Sequence, residues 1–116
     1  MKIQIRHYDS AVTEALRTHT LRRLGFALGR FGESVGDVIV QFSNSNGRGH
    51  GIDKCCQIQV DLPRSVKVVE TDADLFVAVD RAADRASRSV ARALALDREQ
   101  SSQGPPRPRG GRRTKP

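Results

Sequence analysis

Apolar Ile3 and Ile5 alternate with polar Lys2, Gln4 and Arg6, the two-residue period of a half-buried strand that ends near Tyr8. The period then lengthens. Leu16, Thr20, Leu24, Ala27, Leu28 and Phe31 recur at three- and four-residue steps, and Thr13 followed by Glu14 reads as a capped helix start; Gly32 and Gly36 close the helix. Val38, Val40 and Phe42 return to alternation. Ser43 to Gly51, SNSNGRGHG, has loop composition, so the next strand, roughly Lys54 to Leu62, comes back as a hairpin. Its inward set is Cys56, Ile58, Val60 and Leu62, with Gln57, Gln59 and Asp61 outward. Pro63 and Arg64 turn the chain into a fourth strand, where Val66 and Val68 face in and Lys67 faces out. A long helix begins near Asp72 or Asp74, and Phe76, Val79, Ala83, Ala86, Val90 and Leu94 form its apolar stripe.

The order β-α-β-β-β-α predicts an α+β fold: a two-layer sandwich with a four-stranded sheet and both helices on one face. The three consecutive strands suit antiparallel pairing. The uncovered face then presents Gln4, Arg6, Gln41, Cys55, Gln57, Gln59 and Lys67 to water. Residues 1–98 make the domain, and residues 99–116 form a tail. At 116 residues there is room for one core, which argues against a multidomain enzyme.

Charge sharpens this picture. Lys and Arg total 20 against 13 Asp and Glu, a net charge of +7. Ser101 to Pro116 holds Arg107, Arg109, Arg112, Arg113 and Lys115 with no acid, which leaves 15 basic against 13 acidic side chains in residues 1–100. The tail is rich in Pro, Gly and Ser and has no large apolar side chain, so it is expected to be disordered when free. It is either an inert solubilising end or a flexible cationic arm that meets phosphates. No apolar window reaches the roughly 20 residues that span a bilayer, and the N-terminus has no signal-peptide stretch, so a cytoplasmic protein is expected.

Four arginines carry the clearest chemistry. Arg81, Arg85, Arg88 and Arg92 are spaced four, three and four apart, which gathers them within roughly 60° of arc, opposite the predicted stripe. Asp80 and Asp84 stand beside this ridge, placed to pair along the helix, Asp80 with Arg85 and Asp84 with Arg88. A charge run on a helix is either a solvated face or a phosphate-binding one, and arginine favours the second because its planar fork grips phosphate with two bonds. On the first helix, Arg22, Phe26 and Arg30 fall on the side away from the core, with His19 and Arg23 near them. Phe26 either packs on a loop or offers a stacking platform for an unpaired base. Gly25 and Gly29 share this side, where they allow close approach of a backbone or reflect tolerance of small residues.

Enzymatic chemistry has little support. NGRGHGID lacks the Lys-Ser/Thr of a P-loop and precedes a strand. His50, Asp53, Cys55 and Cys56 are able to bind zinc, yet no second Cys or His pair stands at finger spacing. Adjacent cysteines in a strand point to opposite faces, and nothing marks an activated thiolate. No metal, cofactor or small-molecule substrate is expected.

Three segments resemble the bacterial ribosome hibernation promoting factors, the family also called ribosome-associated inhibitor A or sigma-54 modulation proteins. They are TEALR at Thr13 to Arg17, Phe31 at the first helix end, and DLFVAVDRAADRASRSVAR from Asp74 to Arg92. DKCC at Asp53 to Cys56 after a Gly-rich loop is similar to a proteobacterial branch. The resemblance spans about residues 1–95 and implies the same topology. It further implies binding to the small ribosomal subunit in the channel of messenger RNA and transfer RNA, so that idle ribosomes are silenced by occupancy in a stress response. Arg85, Arg88 and Arg92 fall at the family's basic positions, whereas Arg81 stands where a small residue is common and Leu94 where a basic one often is. With no second domain after residue 100, the chain is similar to the short type, a monomer off the ribosome.

The expected function is therefore a non-enzymatic, ribosome-binding translation inhibitor. Arg22, Arg23, Phe26, Arg30, Lys67, Arg81, Arg85, Arg88 and Arg92 contact ribosomal RNA, and Arg107, Arg109, Arg112 and Arg113 add tail phosphate contacts. Two alternatives are a generic or double-stranded RNA-binding module and a Cys-dependent metal or redox protein. A membrane-surface role is disfavoured because the long helix needs its apolar stripe for the core.

Overall fold

A computed structural model describes residues 1–7, 12–45 and 53–103, and their side chains except at 45, 53 and 100–103. Strand β1 (Ile3–His7) leads to helix α1 (Glu14–Leu28), a 3-10 segment (Gly29–Ser34), strands β2 (Val38–Ser45), β3 (Asp53–Val60) and β4 (Val66–Asp72), and helix α2 (Leu75–Gln103). The sheet order is β1-β2-β3-β4, with β1 and β2 parallel and the other pairs antiparallel. A parallel pair needs a crossover, and α1 supplies it. This is the expected β-α-β-β-β-α fold. Tyr8, most of the Gly-rich loop with His50, and residues 104–116 with Arg107, Arg109, Arg112, Arg113 and Lys115 lie outside the described residues.

Alternation along each strand sends one set of side chains to the helices. Val38, Val40, Phe42, Cys56, Ile58 and Val60 are fully buried, joined by Val66, Val68 and Leu62, with Leu16, Leu24 and Leu28 facing them from α1. The opposite face is open. Arg6, Gln41, Gln57 and Val69 line up in one row across it, and Gln4, Ile39, Gln59 and Lys67 in another. Ile39 and Val69 are apolar members that the polar alternation does not anticipate, and Val69 is exposed.

Local chemistry sets the helix ends. Thr13 Oγ1 accepts from the Leu16 N–H at 3.1 Å, the N-cap that relieves an orphan donor of the first turn. The cap of α2 is Asp74, whose carboxylate accepts from the Phe76 N–H at 2.9 Å while its own N–H donates to Asp72 at 2.9 Å. The α1 helix stops at Leu28, earlier than Gly32, and tightens into the 3-10 segment, where Gly32 takes φ +56° that a side chain would strain. Gly36 serves close approach: its N–H donates to the Asp61 carbonyl at 2.9 Å, and a Cβ there would stand 2.6 Å from Asp61 Oδ2. Strand β2 reaches Ser45, so pairing extends into the segment whose composition suggested loop. Likewise α2 runs to Gln103, past the expected domain end at 98.

The orientation of α2 departs from the expected one. Leu75, Ala78, Val79, Ala82, Ala83, Ala86, Val90 and Ala93 are buried, whereas Phe76 is 38% exposed and Leu94 only half-buried. Relative to a stripe centred on Val79, Ala83 and Val90, the helix is rotated by roughly 50° about its axis. Side-chain volume accounts for this. The small Ala78, Ala82 and Ala86 let the backbone settle close to β3 and β4, whereas the ring of Phe76 is accommodated at the flank, 5.1 Å from the His19 ring of α1.

Candidate nucleic-acid interface

The rotation of α2 moves its arginines from the outer surface to the flank above β4. Arg81 pairs with Asp72 at 3.2 Å, and Arg85 pairs with Glu70 at 2.7 Å and donates to the Val69 carbonyl at 2.9 Å. Glu70 and Asp72 sit on the helix side of the edge strand, with side chains only 20% and 24% exposed. The four arginines thus divide. Arg81 and Arg85 are half-exposed but anchored and charge-matched, whereas Arg88 and Arg92 are exposed and take no ion pair among the described residues. The expected ridge opposite the core is corrected to a ridge on one flank, with two of its four cations held.

Asp80 and Asp84 do not pair along α2 as their spacing suggested. Asp80 Oδ1 accepts from Arg23 Nε at 3.0 Å and stands 2.8 Å from His19 Nε2; Asp84 Oδ1 accepts from a second Arg23 nitrogen at 3.1 Å. That nitrogen also reaches the Asp80 carbonyl at 3.3 Å. Arg23 is therefore a strut between the helices, its side chain only 25% exposed, rather than a free hand for RNA. A fork fixed by two carboxylates has less freedom to lose on binding and stiffens the layer that carries the other cations.

The outer side of α1 agrees with its sequence pattern. Arg22 is exposed and Phe26 is 82% exposed, so Phe26 packs on no loop among the described residues. A Cβ added at Gly25 or Gly29 would meet nothing within 4 Å, which leaves this surface open to an incoming backbone. Arg30 donates to Ser87 Oγ at 3.1 Å and lies 4.6 Å above the Phe31 ring, a cation–π contact that holds it at the mouth of the interhelical groove. That groove, about 300 Å³, is lined by Arg23, Phe26, Ala27, Arg30, Asp84 and Ser87.

A second cleft, about 170 Å³, lies further along α2, where Arg64 and Ser65 of the β3–β4 turn meet Ser89 and Arg92 over Val66, Ala93 and Leu96. The sequence marked Arg92 as part of the helical ridge and Arg64 only as a turn residue, because nothing short of the folded turn brings the two arginines together. Lys67 does not join either cluster: it points from β4 to the open sheet face, away from the helices.

Cys55 and Cys56 part as expected. Cys56 is fully buried, and burial pushes its thiol up to about 12, with the neighbouring Cys55 and Glu70 charges adding to the effect. Such a thiol stays protonated and is a poor nucleophile or metal ligand. Cys55 is half-buried on the open face. Among the described residues no three His, Cys, Asp or Glu side chains are grouped to hold a metal ion, and no helix is long and apolar enough to cross a membrane.

A four-stranded sheet backed by two braced helices, with arginines that take no ion pair among the described residues on the outer side of α1 and the flank of α2, defines the class: a small α+β domain that presents a cationic helical layer. Residues 1–95 match the family described as Sigma 54 modulation protein / S30EA ribosomal protein, and the chain belongs to that family. The N-terminal domain of Protein Y from Thermus thermophilus is 32% identical, with a TM-score of 0.65 over 80% of this chain and 99% of that one. A ribosomal subunit interface protein from Coxiella burnetii shares the fold at 18% identity, with a TM-score of 0.68 over 82% of this chain and 99% of that one. No curated protein is significantly similar to the chain.

Proposed function

We propose that the protein is a translation inhibitor that binds the small ribosomal subunit in the channel of messenger RNA and transfer RNA, and silences idle ribosomes by occupancy. Family membership supplies the ribosomal context, and the Coxiella relative carries the name of a subunit interface protein. The observation that carries the reading in this chain is the unmatched pair Arg88 and Arg92 on successive turns of a helix whose neighbouring cations are tied down. Free guanidinium groups on a rigid frame displace condensed counterions from RNA phosphates with little ordering cost. Arg22 and Arg30 extend the contact from α1. Arg81 and Arg85 contribute through their remaining N–H groups, Arg23 by holding the helices, Arg64 at the cleft it lines with Arg92, and Lys67 separately from the open sheet face.

Residues 1–103 make up the folded ribosome-binding part, since α2 runs to Gln103, and residues beyond 103 add a cationic arm through Arg107, Arg109, Arg112 and Arg113. The protein acts as a cytoplasmic monomer and breaks no covalent bond. Co-sedimentation with small subunits, followed by chemical footprinting of their RNA, tests this reading. Protection of decoding-channel nucleotides is the expected outcome. Preference for a free RNA duplex over the subunit would instead identify a generic RNA-binding module.

A further inference from the structure

Phe26 is the most exposed large apolar side chain among the described residues, and it stands at the mouth of the groove between α1 and α2. The groove walls are set in advance. Arg23 is fixed by Asp80 and Asp84, and Arg30 by Ser87 and the Phe31 ring. Asp84 accepts from Arg23 through Oδ1, its side chain is 62% exposed, and Oδ2 takes no hydrogen bond among the described residues. The groove thus holds both a carboxylate oxygen without a hydrogen bond among the described residues and an exposed aromatic ring. It suits a group that is flat and apolar on its face and donates at its edge.

The geometry points to a subsite for one unpaired RNA base, with its ring stacked on Phe26 and its exocyclic amine donating to Asp84. Arg30 and Ser87 meet the base's acceptors or the adjoining phosphate. Adenine and cytosine present such an amine where uracil presents a carbonyl, so the subsite selects against uracil. This inference rests on the RNA-bound reading above and deepens it.

Fluorescence anisotropy with the full chain and labelled A, C and U single strands of about ten nucleotides, within the usual site sizes of such binders, tests the subsite. Tighter binding of the A and C strands than of U is expected. Phe26→Leu keeps apolar bulk without a π-face and should weaken A and C binding by roughly 5- to 150-fold, the range for one base stacked on an aromatic ring, whereas Phe26→Tyr should bind as the natural chain does. Asp84→Asn, which can also donate, should erase the preference over U. Phe26 is exposed, so these variants at position 26 keep the fold. Equal affinity for the three strands, no binding to any, or an unaffected Phe26→Leu would overturn the subsite. So would loss of subunit co-sedimentation in Phe26→Leu with strand binding intact, which would make Phe26 a protein contact. Arg88→Glu with Arg92→Glu separates the two ideas: if that variant still sediments with subunits, the underlying reading fails, whatever Phe26 does.

Discussion

Arg81→Ala/Arg85→Ala and Arg88→Ala/Arg92→Ala remove equal charge from one helix flank and should have opposite consequences. The first pair breaks two ion pairs whose acids are about four-fifths buried, at 3.2 and 2.7 Å, and the hydrogen bond to the Val69 carbonyl. Half-exposed arginines limit each ion pair to about 0.5–1 kcal/mol, and stranding Glu70 and Asp72 adds to the loss, so about 1–2 kcal/mol of stability should go. For a domain of this size that lowers Tm by roughly 4–16 °C. Arg88 and Arg92 touch no acid among the described residues, so their removal should change stability by less than about 0.5 kcal/mol. If each meets one phosphate, the log–log salt slope of ribosome binding should fall by about 1.4–1.8, which at 0.1 M salt corresponds to a roughly 25- to 60-fold weaker complex. Thermal unfolding and co-sedimentation across a salt series read the two effects separately. An unchanged slope in the Arg88/Arg92 variant, or an unchanged Tm in the Arg81/Arg85 variant, would refute the division into free and anchored cations.

Three further outcomes follow from the packing and charge. Leu75→Ala should cost about 2 kcal/mol or more in denaturant unfolding and Phe76→Ala only about 1, because Leu75 is 8% exposed and Phe76 38%; the reverse order would restore the helix rotation that the periodicity suggested. Cys56 keeps its proton in the folded state up to about pH 12 while the unfolded thiol ionises near its ordinary 9.0, so the unfolded state binds fewer protons in that window and stability falls as pH rises through it. The natural chain should therefore lose up to about 1.4 kcal/mol per pH unit more than Cys56→Ala above pH 9, and parallel pH profiles would contradict the buried-thiol account. Deleting residues 104–116 should lower the salt slope of ribosome binding by about 0.7–0.9 for each tail arginine that meets a phosphate; an identical slope would make the arm a bystander.

The two-residue and three-to-four-residue periods of the sequence were enough to determine the element order, the inward faces of β2, β3 and β4, the Thr13 cap and the exposed side of α1. Those features depend on contacts within a strand or a helical turn, where spacing alone decides which side chains share a face. The Arg22, Phe26 and Arg30 surface was legible for the same reason. Tertiary structure alone decided the rest. Whether Phe76 or Leu75 entered the core depended on how closely Ala78, Ala82 and Ala86 let α2 approach the sheet, a matter of volume that a hydropathy pattern does not weigh. The acids of α2 found Arg23, 57 and 61 residues away, instead of arginines one turn along, because docking α1 against α2 presented a fixed fork to both carboxylates at once. Glu70 and Asp72 captured Arg85 and Arg81 only after that rotation carried the ridge over β4. Periodicity therefore identified which residues were cationic and outward, while the packing of the two layers selected which of those cations remained unmatched.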